Sequence, residues 1–137
     1  MLWANNATGP DFGGSHSFQA WSIKAGILDS LGRNAEAEAA MKEALPYGDM
    51  NELYFYARGL TRSKQGQKAF AIFKMDYDKN PDQFLTNAGM ARGYSAIGDY
   101  KKALPYAQKA LALAPDQPNK DTMTKMVKNL QDGKDVN

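Results

Sequence analysis

Apolar side chains recur at helical spacing along this chain, and residues 84–115 show the pattern most plainly. Two apolar stripes follow each other there, separated by Gly98 and Asp99. Gly98 predicts that the first helix ends in a residue with left-handed backbone conformation. Asp99 predicts an N-cap for the next helix, and Pro115 predicts where that helix ends. The stretch therefore predicts two amphipathic helices folded against each other, and such a pair needs further partners to bury both stripes. The stripe positions are Met90, Ala91 and Tyr94, then Tyr100, Ala103, Leu104, Ala107, Ala110 and Leu111.

The same arrangement is repeated toward the start of the chain. Pro81 lies 34 residues before Pro115, and Gly32 corresponds to Gly98. Small residues recur at about the same interval, so three copies of the helix pair are predicted at residues 18–49, 50–83 and 84–117. The alanines that correspond are Ala25 and Ala37, Ala57 and Ala69, and Ala91 and Ala103.

Period, small residues and turn residues together make this sequence resemble the tetratricopeptide repeat family, whose unit is a helix-turn-helix of about 34 residues. The resemblance covers residues 18–117. It implies an all-α, right-handed α-solenoid of three helix-turn-helix repeats. The matching residues are Trp21, Ala25, Leu28, Gly32, Ala37, Met41 and Ala44; Ala57, Leu60, Ala69, Phe73 and Pro81; and Ala91, Tyr94, Gly98, Ala103, Ala107, Ala110 and Pro115.

Helix boundaries follow from the same signals. The predicted helices span about 18–31, 35–45, 51–64 and 67–78, followed by the pair in 84–115. Asn34 is the expected cap of the second helix. Gly66 falls two places later than Gly32 and Gly98 do in their copies, so the middle turn is expected to differ.

Both ends of the chain depart from the repeat. Residues 1–17 are expected to hold the tail of a preceding repeat helix and a loop, which suggests that the protein extends further upstream. Residues 118–137 are expected to form a capping helix that covers the last apolar surface. Its stripe is Met123, Met126, Val127 and Leu130. Gly133 should end this helix, and residues 134–137 should fray.

Two residues inside the repeats are unusual. Asp76 stands where the other copies have Ala44 and Ala110, so its carboxylate should reach solvent or a basic partner. Pro105 lies inside the sixth helix, where it removes one backbone hydrogen bond and should bend the helix.

Composition narrows the function classes. The chain has 137 residues, 43% of them hydrophobic, and carries a net charge of +2. This favours one globular domain and gives no argument for a nucleic-acid partner or for membrane insertion. There is no cysteine, and His16 is the only histidine, so neither a catalytic constellation nor a metal site is expected. No enzyme activity and no cofactor are predicted.

Binding has better support in the sequence. Tyr54, Arg58 and Arg62 recur every fourth residue beside the apolar stripe of the third helix, and Arg92 lies one period after Arg58. In the family that the chain resembles, the first helix of each pair lines a concave groove. The resemblance thus predicts a peptide-binding groove. Its residues are Ser22, Asp29, Asn51, Tyr54, Arg58, Arg62, Arg92 and Ser95.

Arginine binds carboxylates through paired hydrogen bonds, so the expected ligand is an acidic peptide segment of another protein. The competing interpretation is that the arginines pair internally with Asp29 or Asp76 and only make the face soluble. A different kind of role is a structural appendage that self-associates as a homodimer. It would use the N-terminal end, with Trp3, Phe12 and Trp21 exposed.

The compartment is not decided by the sequence. A complete chain is expected in the cytoplasm. A C-terminal part of a larger bacterial protein would also fit the periplasm or the envelope.

Overall fold

The computed structural model describes residues 17–137, and this part of the chain contains seven α-helices and no strand. The predicted all-α helix-turn-helix arrangement is confirmed. The predicted partial helix and most of the first loop lie outside the described residues. The helices are α1 (Phe18–Ser30), α2 (Asn34–Ala44), α3 (Met50–Arg62), α4 (Gly66–Lys79), α5 (Phe84–Ala96), α6 (Tyr100–Leu113) and α7 (Gln117–Gln131); a 3-10 turn (Leu45–Tyr47) follows α2.

The chain divides into two compact units, Met1–Asp49 and Met50–Asn137. In the described part of the first unit, α1 packs against α2 around small and branched side chains. Ser17 caps α1 by accepting a hydrogen bond from the backbone N–H of Ala20 at 3.0 Å. The core residues are Ala25, Leu28, Ala37 and Ala40, with Trp21 and Met41 packed against them.

The second unit stacks its helices in chain order. Each of α3 to α7 packs against the next, and α3 also packs against α5. The alanines at corresponding repeat positions are completely buried, which lets neighbouring helices approach closely: they are Ala57, Ala69, Ala91 and Ala103. This is the nearest-neighbour packing of a repeat protein.

Glycines on α5 leave room for a large side chain of α4. A Cβ added at Gly89 would lie 2.8 Å from Cδ1 of Phe73, and one added at Gly93 would lie 3.2 Å from Cδ2 of the same ring. Phe73 is 1% exposed. The ring therefore occupies the space that side chains at positions 89 and 93 would need.

The three turns within the helix pairs share one geometry. Gly32, Lys64 and Gly98 all have positive φ, at 75°, 64° and 82°. The residue after each donates its N–H to a carbonyl five positions earlier, at 2.9 Å in each turn. The expectation that the middle turn differs is wrong, because Lys64 adopts the conformation that glycine adopts elsewhere. Gly66 serves another purpose: a Cβ there would lie 2.6 Å from the carbonyl oxygen of Ala96.

Two local predictions need correction. Asn34 is the first residue of α2 and not its cap; Arg33 precedes it and makes no side-chain capping bond. Asp76 does not reach solvent, since it is 1% exposed, and the side-chain amide of Asn80 donates to its Oδ1 at 3.1 Å. The Asp76 carboxylate thus accepts a hydrogen bond from the side-chain amide of Asn80, where the sequence had predicted contact with water or a cation.

Helix α5 is buried around most of its circumference and is not simply amphipathic. Every residue from Thr86 to Gly93 is buried, as is Ser95, and α3, α4 and α6 pack against this helix. Its buried polar side chains find partners in the preceding turn: Thr86 Oγ1 donates to the carbonyl of Asn80 at 2.7 Å, and Asn87 Nδ2 to that of Gln83 at 2.8 Å. The helix can therefore be internal without leaving these groups unsatisfied.

The last two helices begin and end near the boundary residues predicted from the sequence. Asp99 caps α6 by accepting from Lys102 N–H at 3.1 Å, and α6 continues through Pro105. Asp116 caps α7, and Gly133 follows it with φ of 69°. Met123, Met126 and Leu130 of the predicted stripe are buried, so α7 covers the apolar side of α6 as expected.

Candidate functional site

Four of the predicted site residues lie on one side of α3, and two lie on α5. Asn51, Tyr54, Arg58 and Arg62 are spaced so that their side chains fall on the same face of the helix. Since α3 packs against α5, these residues and the α5 pair Arg92 and Ser95 define one surface of the second unit, called here the α3–α5 face.

A buried hydrogen bond joins the two helices of this face. Arg92 Nε donates to the hydroxyl of Tyr54 at 3.0 Å. Tyr54 is 5% exposed and its ring contacts that of Phe73, with centroids 5.7 Å apart. The expectation that Tyr54 stands outside the buried stripe is therefore wrong: the residue belongs to the core and positions the guanidinium of Arg92.

The segment that follows α7, residues 134–137, returns to the α3–α5 face and is called here the return segment. Ser95 Oγ donates to Asp135 Oδ1 at 2.6 Å and accepts from the N–H of Val136 at 3.0 Å. Arg92 Nη1 donates to the carbonyl of Val136 at 3.3 Å. Asn137 Nδ2 donates to the carbonyl of Arg92 at 2.9 Å. The prediction that this segment frays is wrong.

Hydrogen bonds within the return segment also stabilise its conformation. Asp135 Oδ1 accepts from the backbone N–H of Asn137 at 3.2 Å and from its side-chain amide at 3.1 Å. Burial alone would raise the pKa of Asp135. The hydrogen bonds from Ser95 and Asn137, together with a smaller effect of the nearby Val136 backbone, outweigh this and bring that pKa below its ordinary value.

Positive charge is concentrated on the face. Burial lowers the pKa of Arg58 below its ordinary value, and the charges of Arg92 and Arg62 act in the same direction. An arginine stays protonated even so, which means that the three guanidiniums repel one another where water is partly excluded. An anion placed among them would relieve this repulsion.

The arginines are not neutralised within the described part of the chain. Among residues 17–137, no carboxylate lies within ion-pair distance of Arg58, Arg62 or Arg92. Ion pairs of other cations in this range, such as Arg33–Glu36, Lys74–Asp78 and Lys102–Asp99, join exposed i, i+3 or i, i+4 partners. Internal pairing with Asp76, the candidate within the second unit, is therefore not how these charges are accommodated.

The remaining predicted site residues lie on α1, in the first unit. Ser22 Oγ donates to the carbonyl of Gln19 at 3.0 Å within its own helix, and Asp29 is exposed. Arg62 and Asn51 are exposed on α3, Arg58 is half-buried, and Arg92 and Ser95 are buried. The structure thus brings together four of the predicted residues of the second unit, Tyr54, Arg58, Arg62 and Arg92.

Sequence reasoning missed the return segment itself. Residues 134–137 are polar except for Val136, which is the only signal that this stretch has a buried side, and it is half-buried. No helical period extends past Gly133, so nothing in the pattern indicates where the segment goes.

Other classes of site find no support in residues 17–137. No group of three or more acidic or histidine side chains there could hold a metal ion. No helix in that range is long and apolar enough to cross a bilayer.

Comparison with known proteins agrees with the repeat architecture. Family models described as tetratricopeptide repeat match residues 18–45 and residues 88–121. The first match spans α1 and α2, and the second spans most of α5, all of α6 and the start of α7. Searches of curated proteins and of solved structures gave no significant match. The helix pairs, their shared turn geometry and these two matches show that the chain contains tetratricopeptide repeats.

Proposed function

We propose that this protein is a non-catalytic binding module whose α3–α5 face holds an acidic peptide segment of another protein. The observation that carries the proposal is the cluster of Arg58, Arg62 and Arg92, which has no carboxylate partner among the described residues. Tetratricopeptide repeats generally bind proteins or peptides, and that role fits a helical stack with a cationic surface.

The chemistry of the face favours a peptide over a small anion. Ser95 and Arg92 offer a hydroxyl and a guanidinium one helical turn apart, and both already bond backbone groups of residues 134–137. A surface that satisfies peptide N–H and C=O groups can accept another peptide in the same manner. Arg58 and Arg62 supply the charge that selects carboxylates.

Direct titration with labelled peptides tests the proposal. The probe is fluorescein-Gly-Asp-Glu-Asp-Glu-Asp-amide, compared with the same peptide carrying Asn and Gln in place of Asp and Glu. We expect the acidic probe alone to bind. Arg58→Gln with Arg62→Gln should weaken its binding by tenfold or more, because two cations are lost from a partly desolvated face.

The matched control removes two positive charges elsewhere in the second unit. Lys101 and Lys109 are exposed on α6, and Lys101→Gln with Lys109→Gln changes net charge by the same amount. This control should leave binding nearly unchanged at 0.15 M salt. Equal losses in the two double variants would show that only net charge matters and would overturn the assignment to the α3–α5 face.

The alternative role as a self-associating appendage receives no specific observation here. Trp3 and Phe12 lie outside the described residues, and Trp21 is half-buried against the core of the first unit. The parts played by Ser22 and Asp29, and the expectation that the chain belongs to a larger bacterial protein, stay predictions.

A further inference from the structure

The return segment is bound to the α3–α5 face as a ligand would be. Four hydrogen bonds connect Asp135, Val136 and Asn137 to Ser95 and Arg92, and they involve both backbone and side-chain groups of the segment. Each of the two helix residues takes part in two of these bonds. The contact is therefore a matched one between a short peptide and one helical turn of α5.

The geometry selects particular side chains at two of the three positions. The carboxylate of Asp135 accepts a hydrogen bond from the hydroxyl of Ser95 and further hydrogen bonds from the backbone and side-chain N–H groups of Asn137. The amide of Asn137 reaches the backbone carbonyl of Arg92 and the same carboxylate oxygen. Val136 contributes its backbone groups to the contact and a half-buried side chain.

From this arrangement we infer that residues 135–137 are an internal ligand, and that the face recognises the pattern Asp, aliphatic residue, Asn. A partner protein that presents this pattern would take the same place after displacing the segment. The inference rests on the proposed function, because it assumes that the α3–α5 face binds peptides of other proteins. It adds the identity of the recognised pattern and a contact that the partner has to open.

The segment is suited to being displaced. Asp135 and Asn137 are exposed on their outer sides, and only Val136 contributes apolar cover. A short tether to α7 gives the segment a high effective concentration at the face, so it competes with any free peptide. The unmodified chain should consequently bind an external peptide less tightly than a chain whose segment is weakened.

A titration of the full-length, ¹⁵N-labelled chain tests this inference. The probe is acetyl-Gly-Lys-Asp-Val-Asn-amide, followed through the backbone amide signals of Arg92 and Ser95. The weakened chain carries Asp135→Ala with Asn137→Ala. A matched control carries Gln131→Ala with Asp132→Ala, which changes the charge equally at exposed positions before the segment.

We expect the weakened chain to bind the probe at least tenfold more tightly than the unmodified and control chains. A probe with Ala in place of both Asp and Asn should not bind. Ser95→Ala should reduce probe binding to the weakened chain, with helicity unchanged by circular dichroism. Equal affinity of the probe for all chains, or binding of the Ala probe, would overturn the inference.

The acidic probe described under the proposed function separates the two ideas. If it binds the unmodified and the weakened chain equally while the Asp-Val-Asn probe binds neither, the proposed function stands and the inference is overturned. If neither probe binds any chain, both are overturned. A dimer that Asp135→Ala with Asn137→Ala converts to a monomer would show that the segment is exchanged between two copies, and would also overturn the inference.

Discussion

The Nε of Arg92 and the hydroxyl of Tyr54 form a buried hydrogen bond of 3.0 Å that ties α5 to α3. Tyr54→Phe keeps the ring but leaves a buried guanidinium N–H without this acceptor. We expect a loss of about 1–3 kcal/mol in the free energy of unfolding, measured by urea denaturation. Tyr100→Phe is the control, because Tyr100 is half-buried and its hydroxyl makes no hydrogen bond with the described residues. Similar losses for both variants would contradict a special role for the Tyr54 hydroxyl.

Glycines of α5 should tolerate no side chain where Phe73 packs. Gly93→Ala and Gly89→Ala each place a methyl group against this ring, and we expect each to destabilise the protein by about 1–3 kcal/mol. Gly59→Ala is the matched control on α3, where a Cβ meets nothing within 4 Å. It should stabilise the protein by about 0.5–1 kcal/mol, because alanine favours the helix. Relative to the unmodified protein, the denaturation midpoint should fall for the two α5 variants and rise for Gly59→Ala.

Lys64 is strained by its positive φ, so Lys64→Gly should stabilise the protein. A left-handed conformation costs a residue with a Cβ roughly 1–2 kcal/mol, and the greater freedom of glycine in the unfolded chain offsets part of this. The expected net gain is about 0.5–1 kcal/mol. Gly98→Ala places a Cβ at the equivalent position of the last repeat and should lower the denaturation midpoint. A stabilising effect of Gly98→Ala would show that the shared turn geometry is not what sets these preferences.

Acid should release the return segment. The pKa of Asp135 is lowered in the folded protein, so its stabilising effect is present above its ordinary value of 3.8 and is lost as pH falls through the lower folded value. We expect the amide signal of Val136, whose N–H donates to Ser95, to move toward its unbound position in that window. Circular dichroism at each pH separates release from general unfolding.

The control for this pH dependence is Asp135→Asn, which removes the titrating group. The signal of Val136 in this variant should no longer change between pH 5 and the folded pKa of the carboxyl. A release midpoint above 3.8 in the unmodified chain would mean that the bound segment prefers the protonated carboxyl, contrary to the hydrogen bonds that hold it.

Local signals in the sequence predicted most of the fold. The ends of α6 and α7 follow from Asp99, Pro115 and Gly133, because capping and left-handed turns depend on a few adjacent residues. The left-handed Lys64 could not be predicted in the same way. The packing of the helices on either side of the turn imposes that conformation, and lysine has no intrinsic preference for it.

The candidate site was predictable in part. The helical period places Arg58, Arg62 and Arg92 on one surface, since helices of successive repeats align. The burial of Tyr54 and Ser95 was not predictable, because it depends on contacts with residues about 40 positions away. A periodic pattern reports which face of a helix is apolar, and it carries no information on a short segment that folds back across another repeat.

The hydrogen bond from Arg92 to Val136 joins α5 to the segment that follows α7, 44 positions further along the chain. In an array where most helix contacts join neighbours along the chain, such a bond acts as a clasp on the segment after α7. Breaking this hydrogen bond removes a restraint on α7. Local fraying of α7 and binding of the return segment to the α3–α5 face are therefore thermodynamically linked. Faster amide hydrogen exchange in α7 would then report that the face has been vacated by its own chain.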